Sequence, residues 1–251
     1  METHVYRAKG NTIIGTPYRL AFFVWRRMPD SWRSLFAMNP LAQRIKTAGR
    51  DTLARFAGRE DLYSSEYYTY VDVEASRSAP VIVESVVSHF APRSLIDVGC
   101  GTGALLAAFT AKGISTVGLE YSSAGLKFCA RRGLNVHRFD IENDLQQDIG
   151  VFDLAVCFEV AEHLSEKFAD RLVDLLVSLA PTVVFTAAVP GQGGGADHIN
   201  EQPNEYWIAK FERRGYRLLQ DITKEWRQDW GSKDVAGFYA QNIMAFGKPS
   251  S

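Results

Sequence analysis

Residues 94–109 read Ser94-Leu-Ile-Asp97-Val-Gly99-Cys100-Gly101-Thr-Gly103-Ala104-Leu-Leu-Ala-Ala-Phe109. A short apolar run reaches Asp97, glycines recur at Gly99, Gly101 and Gly103, and a segment of good helix formers begins at Ala104. That order predicts a strand, a tight glycine turn and a helix, the opening of a nucleotide-binding βα unit. Glycines in such a turn permit positive φ and let a ligand approach the backbone. The helix start adds N–H groups that have no partner within the helix.

Two ligand classes fit this outline. Counted to Ala104, the stretch is G-x-G-x-x-A, which satisfies the dinucleotide fingerprint. Asp97 separates the two classes. A carboxylate at the strand's carboxyl end would repel a pyrophosphate, whereas it suits a ligand carrying an ammonium group. S-adenosylmethionine has such an amine and no phosphate, so it is the expected ligand. The competing reading is a structural turn with no ligand at all.

Working outward, apolar runs predict strands at 95–98, 116–120, 135–139, 152–158 and 182–188. Helices are expected at 104–112, 122–132, 166–179 and 204–214, and another from Ser78-Ala-Pro80 to about 89, with Pro80 in its first turn. Two final strands at 216–221 and 237–246 would pair at one sheet edge. Alternating strands and helices imply an α/β, Rossmann-like doubly wound fold: a mostly parallel seven-stranded sheet with an antiparallel edge strand.

Ligands of such sheets bind at the carboxyl ends of the strands. Those ends carry Asp97, then Glu120 with Tyr121, then Asp140 with Ile141, and finally Glu159. An acid about 20 residues beyond the glycine turn can accept both ribose hydroxyls, and Asp140 is placed to accept from an adenine amino group. Asp97-Val-Gly99-Cys100-Gly101-Thr-Gly103, Glu120, Asp140 and Phe152-Asp-Leu together resemble the motifs of class I S-adenosylmethionine-dependent methyltransferases, over roughly residues 80–247. The resemblance implies that the glycine loop underlies the methionine moiety, that Glu120 holds the ribose and that Asp140 reads the adenine.

Past the fourth strand, Glu159-Val-Ala-Glu162-His163 places two acids and an imidazole on the acceptor side. Glu-x-x-Glu-His resembles the metal site of plant small-RNA 2′-O-methyltransferases, which a further His completes, and of ubiquinone-pathway O-methyltransferases. By that resemblance Glu159, Glu162, His163 and His198 would hold Mg²⁺ or another divalent ion. Imidazole favours Mn²⁺, Fe²⁺ or Zn²⁺ over Mg²⁺. The alternative needs no metal: Glu159 touches the donor, and His163 is a general base or a packed helix-start residue. The catalytic candidates are His163, His198 and Glu162. Residues 191–207 form a glycine-rich, then densely polar loop with Asp197, His198, Asn200, Glu201 and Gln202. Such a loop suits a polyhydroxylated acceptor, with Tyr206 and Trp207 as a stacking face; the plain alternative is that Asn200–Gln202 cap the next helix.

Net charge is −1 for 251 residues, but residues 1–60 hold 11 Lys/Arg against 4 Asp/Glu, or +7, which leaves −8 for the remainder. The chain therefore divides into a basic, helical N-terminal extension, residues 1–77, and a main domain, residues 78–251. The extension reads as a lid, as a peripheral membrane-surface contact or as packing on the domain. Tyr63, Tyr67, Tyr68 and Tyr70 either close over the site or staple the arm to the fold. No apolar run is long enough to span a bilayer, no signal peptide is evident, and Cys100, Cys129 and Cys157 lack metal-ligand spacing, so a cytoplasmic protein with reduced thiols is expected. The expected activity is O-methylation of a small-molecule or glycan acceptor. Its rivals are an RNA 3′-end 2′-O-methyltransferase and a non-catalytic S-adenosylmethionine-binding protein. Nothing beyond the basic arm and the metal-like motif favours nucleic acid.

Overall fold

The computed structural model describes residues 65–144, 149–192 and 198–249. The expectations for the basic arm, Tyr63 and Asp197 lie outside the described residues. Helix α1 (Ser65–Phe90) leads into β1 (Ser94–Val98), α2 (Ala104–Ala111), β2 (Ser115–Glu120), α3 (Ser123–Arg131) and β3 (Val136–Arg138). Strand β4 (Leu154–Phe158), two 3₁₀ turns at Ala161–His163 and Glu166–Phe168, α4 (Ala169–Leu179) and β5 (Thr182–Thr186) follow. The chain continues with α5 (Asn204–Glu212), β6 (Arg217–Leu218), α6 (Gln220–Ser232), α7 (Gly237–Asn242) and β7 (Met244–Gly247).

The strands form one sheet in the order β3-β2-β1-β4-β5-β7-β6. β1 through β5 are mutually parallel, and β7 runs antiparallel to both β5 and β6. The antiparallel strand thus lies one place in from the edge. The order reverses between β1 and β4, the switch point where open sheets of this kind form their ligand crevice.

Side chains alternate across the pleat. Leu154, Val156 and Phe158 join Ile82, Val86, Phe109, Trp226 and Trp230 on one face, while Ala155 and Cys157 join Leu172, Leu176, Trp207 and Phe211 on the other. With both faces covered, the central strands read as continuous apolar runs. Burying a ring such as that of Phe211, stacked 4.0 Å from Phe246, contributes about 1.5–3 kcal/mol.

Three elements differ from the sequence expectation. α1 begins at Ser65, and Pro80 lies inside it, so the 77/78 division falls within a continuous helix. The ring removes one helical N–H, but Ala79, Ile82, Val83 and Val86 bury a stripe that holds the helix together. Residues 237–242 are helix, where Phe238 and Tyr239 had suggested strand. Packing of the Tyr239 ring on Phe158, 5.6 Å between centroids, overrides β propensity. Finally, residues 220–232 form α6, whose Thr223, Trp226 and Trp230 are buried at helical spacing.

Ser78 ties α1 to the segment before α7. Its hydroxyl donates to Glu74 O and accepts from the Ala236 N–H at 2.9 Å, fully buried. Ser78→Ala would strand that N–H, and chemical denaturation is expected to show a loss of about 1–3 kcal/mol.

Candidate functional site

Past β1 the chain turns through Gly99, Gly101 and Gly103, with φ of +79°, +56° and +74°. A Cβ on Gly99 would lie 2.4 Å from Val160 Cγ2, and one on Gly103 2.5 Å from Leu134 Cδ1. Gly99 is therefore required twice over, by its dihedral and by the close approach of the segment after β4. The N–H groups of Gly99 and Cys100 donate to Leu119 O at 2.8 and 3.0 Å, which seats the turn on the end of β2.

Glu120 holds this region together. Its Oε2 accepts from the Gly101 N–H at 2.8 Å, and its Oε1 accepts from the Ser122 N–H at 2.7 Å and from the Tyr68 hydroxyl at 3.1 Å. Tyr68 is buried, packs edge-on to Tyr67 and lies beside Phe128. Tyr68, one of the tyrosines singled out from sequence, is thus brought to Glu120. Asp97 is buried on the neighbouring strand, and desolvation, then the Glu120 charge, push its carboxyl up to about 8. Glu120 is also raised by burial, against the opposing pull of its own hydrogen bonds.

Past β3, Asp140 is half-buried and closes its own turn. Its carboxylate accepts from the Glu142 N–H at 2.9 Å and from Asn143 Nδ2 at 2.8 Å. Ile141 beside it is buried. Tyr121 lies under the Arg138 guanidinium, 5.5 Å from the ring centre.

At the end of β4, Glu159 adopts φ +52°, an uncommon conformation for a residue with a side chain. It is held from both sides: its N–H donates to Thr186 Oγ1 at 2.9 Å, and its Oε1 accepts from Asn242 Nδ2 at 3.0 Å. Asn242 is fully buried on α7, a contact no sequence pattern signalled. The next turn carries Glu162 and His163, both buried. Glu162, His163 and His198 offer ligand atoms within 4.8 Å of one another, and the two imidazoles meet edge to face, 4.9 Å between centroids. Glu159 is not among the three; its carboxylate is drawn toward Asn242.

Among the described residues neither Glu162 oxygen has a hydrogen-bond partner, although both are buried. Burial and then the Glu159 charge hold the Glu162 carboxyl well above the usual range. A buried acid without a donor is costly. An acid and two imidazoles converging there suit a divalent cation such as Mn²⁺, Fe²⁺ or Zn²⁺.

His198 reaches the cluster because its loop is stapled to the Glu162 segment. The N–H groups of Ile199 and Asn200 donate to Glu162 O at 2.8 and 3.1 Å, and Asn200 Nδ2 donates to Ala161 O at 3.3 Å. Asn200 and Glu201 are buried, so they build the site. They do not cap α5, whose N-cap is Pro203 with no side-chain cap. Trp207 is fully buried against Phe185, 5.3 Å between centroids. It is thus core and offers no stacking face, because it falls on the inward stripe of α5 with Phe211. Tyr206 is half-buried, with the Lys210 ammonium 4.7 Å from its ring centre. The cysteines are free and buried; the hydrogen bond with Cys129 and then burial push the Cys100 thiol well up, and burial does the same to Cys157.

Residues 96–183, from β1 into β5, match the family described as "Methyltransferase domain". That stretch of the chain is thus similar to a methyltransferase domain. A ubiquinone biosynthesis O-methyltransferase of Alkalilimnicola ehrlichii is 25% identical over 144 residues, 54% of each chain. A counterpart from Hahella chejuensis is 25% identical over 147 residues, 54% of this chain and 56% of that one. The chain thus spans about half the length of the curated relatives it matches. Among solved structures, the magnesium protoporphyrin IX methyltransferase of Synechocystis, with bound S-adenosylhomocysteine, shares the fold at TM-score 0.54 and 15% identity, covering 81% of this chain and 100% of that one. So does the amino pentose methyltransferase CalS10 from Micromonospora echinaspora, at TM-score 0.53 and 17% identity, covering 74% and 98%. No helix among the described residues is long and apolar enough to cross a membrane.

Asp97 makes a pH-dependent contribution to stability. Below about pH 4 the folded and unfolded chains both carry its proton, and above about pH 8 neither does. Between those limits the folded state holds a proton the unfolded chain has lost, so stability falls as pH rises, by at most about 1.4 kcal/mol per pH unit. Denaturant titrations from pH 5 to 8 are expected to show Asp97→Asn gaining stability relative to the parent as pH rises.

Proposed function

We propose that this chain is an S-adenosylmethionine-dependent O-methyltransferase whose acceptor is a hydroxyl of a small molecule or glycan with sugar- or diol-like character. The observation that carries this reading is the placement of two unlike sites on neighbouring strands. An acid-lined glycine turn lies on β1 and β2, and the Glu162–His163–His198 cluster lies beyond β4. The names of the curated relatives support oxygen as the methylated atom. The sugar N-methyltransferase KedS8 from Streptoalloteichus, with TM-score 0.52 at 17% identity, and the amino pentose enzyme support a sugar-like acceptor only by likeness of fold.

In this reading Asp97 faces the donor's ammonium group, with Gly99, Cys100, Gly101 and Gly103 forming the cradle beneath it. Glu120 accepts from the ribose hydroxyls, while Tyr121, Asp140 and Ile141 border the adenine, and Glu159 borders the reacting end. The first part of α1 brings Tyr68 to Glu120 beside this site. The donor's sulfonium already activates the methyl group, so the protein's work is to align the acceptor oxygen and take its proton.

Glu162, His163 and His198 would hold a divalent ion, with Glu159 close by. When bound, the ion would lower the acceptor hydroxyl's pKa and fix its orientation. The two imidazoles are also the bases nearest the acceptor side.

Calorimetry with S-adenosylhomocysteine tests the donor assignment. Glu120→Ala is expected to weaken binding by about 10-fold or more, as loss of hydrogen bonds to a charged group implies; tighter binding of NAD than of S-adenosylhomocysteine would overturn the assignment. A mass-spectrometric search of cell extract for products one methylene heavier would identify the acceptor. With it in hand, chelation or Glu162→Ala should abolish turnover while leaving donor affinity intact, and activity that survives both would sink the metal role.

A further inference from the structure

We infer that Glu201 is a positioning residue that selects which nitrogen His198 presents to Glu162 and His163; the inference rests on the metal reading of that cluster. The Glu201 side chain is fully buried, at 0% exposure, and its Oε1 lies 3.1 Å from His198 Nδ1. Its Oε2 accepts only a long bond, 3.4 Å, from the Gly191 N–H. A buried carboxylate is costly without donors, and the imidazole N–H is the closer of these two partners.

The pairing is not a helical neighbour contact. Residues 198–203 lie outside helix and strand, and the segment keeps its shape through Gln202 Nε2 donating to Asn200 Oδ1 at 2.9 Å and the staples to Ala161 and Glu162. Those staples bring the His198 ring against His163, and Glu201 stands behind it. An imidazole that donates Nδ1–H to a carboxylate has its lone pair on Nε2. The carboxylate also fixes the ring's orientation, as acids behind metal-bound histidines do. Glu201 thereby leaves Nε2 as the His198 ligand atom, and the same tautomer would serve a proton acceptor.

Long-range ¹H–¹⁵N correlation spectra of the full chain, with His198 assigned through its loss in His198→Ala, read the tautomer without any metal. The expected state has the proton on Nδ1, and this preference should disappear in Glu201→Gln. Calorimetry with Mn²⁺ should then show affinity falling about 10–100-fold in Glu201→Gln, with S-adenosylhomocysteine affinity unchanged. A purely structural role for Glu201 would lower thermal stability and leave the tautomer as it is. The inference is overturned if His198 in the parent protein carries its proton on Nε2, or if Glu201→Gln keeps both the tautomer and the Mn²⁺ affinity. If the parent has the Nδ1–H tautomer but binds no Mn²⁺, the metal reading falls and the positioning of His198 stands, so the two failures are distinguishable.

Discussion

The carboxylate of Glu120 is the point from which the region around the glycine turn is organised. It is buried at the end of β2 and draws its donors from three separate parts of the chain: the glycine turn through Gly101, the start of α3 through Ser122 and helix α1 through Tyr68. A carboxylate that deep is tolerated only when its oxygens are occupied. The three donors therefore have to stay in place together. Moving α1 disturbs the glycine turn, and moving the turn disturbs the first residues of α3. Gly125 extends the constraint, since a Cβ there would meet Gly101 O at 2.8 Å and Glu120 Cγ at 3.0 Å.

The same crowding links the glycine turn to the segment beyond β4. Val160 presses on Gly99 from the segment that goes on to carry Glu162 and His163. Asp97 and Val156 are register partners across β1 and β4. Asp97, Glu120, Glu159 and Glu162 thus gather at the ends of three adjacent strands, and burial raises the pKa of each. Tyr239, on the short helix beside them, is raised by burial and then by Glu159, Asp97 and Glu162. Perturbed acids collected in one crevice mark functional sites. Their common chemistry is an affinity for cations, which fits the two positive ligands proposed, an amino-sulfonium donor and a divalent metal.

Much of the fold could be read from residue order alone. The glycine turn after an apolar run and the regular alternation of strands and helices specify a parallel sheet, because such connections have few alternatives. The C-terminal third resisted that reading. Phe238 and Tyr239 have strand propensity, yet they lie on a helix, with Tyr239 packed on Phe158 and against Phe238. Trp226 and Trp230 stack at 5.4 Å on a helix that is otherwise strongly polar. Trp207 looks like a binding aromatic because of the loop before it, but its place on the inward stripe of α5 commits it to the core.

The acids of the proposed site were legible for a local reason: strand ends in this topology point to one crevice, so Asp97, Glu120, Asp140 and Glu159 could be named from position. Several of their partners were not, because those are supplied from far along the chain. Tyr68 meets Glu120 across 52 residues and Asn242 meets Glu159 across 83, and His198 meets His163 through a loop held by Glu162's own carbonyl. Periodicity and spacing record what neighbours along the chain must do. Which distant side chain satisfies a buried charge is settled by packing, where several donors of equal chemistry compete and the fold admits one.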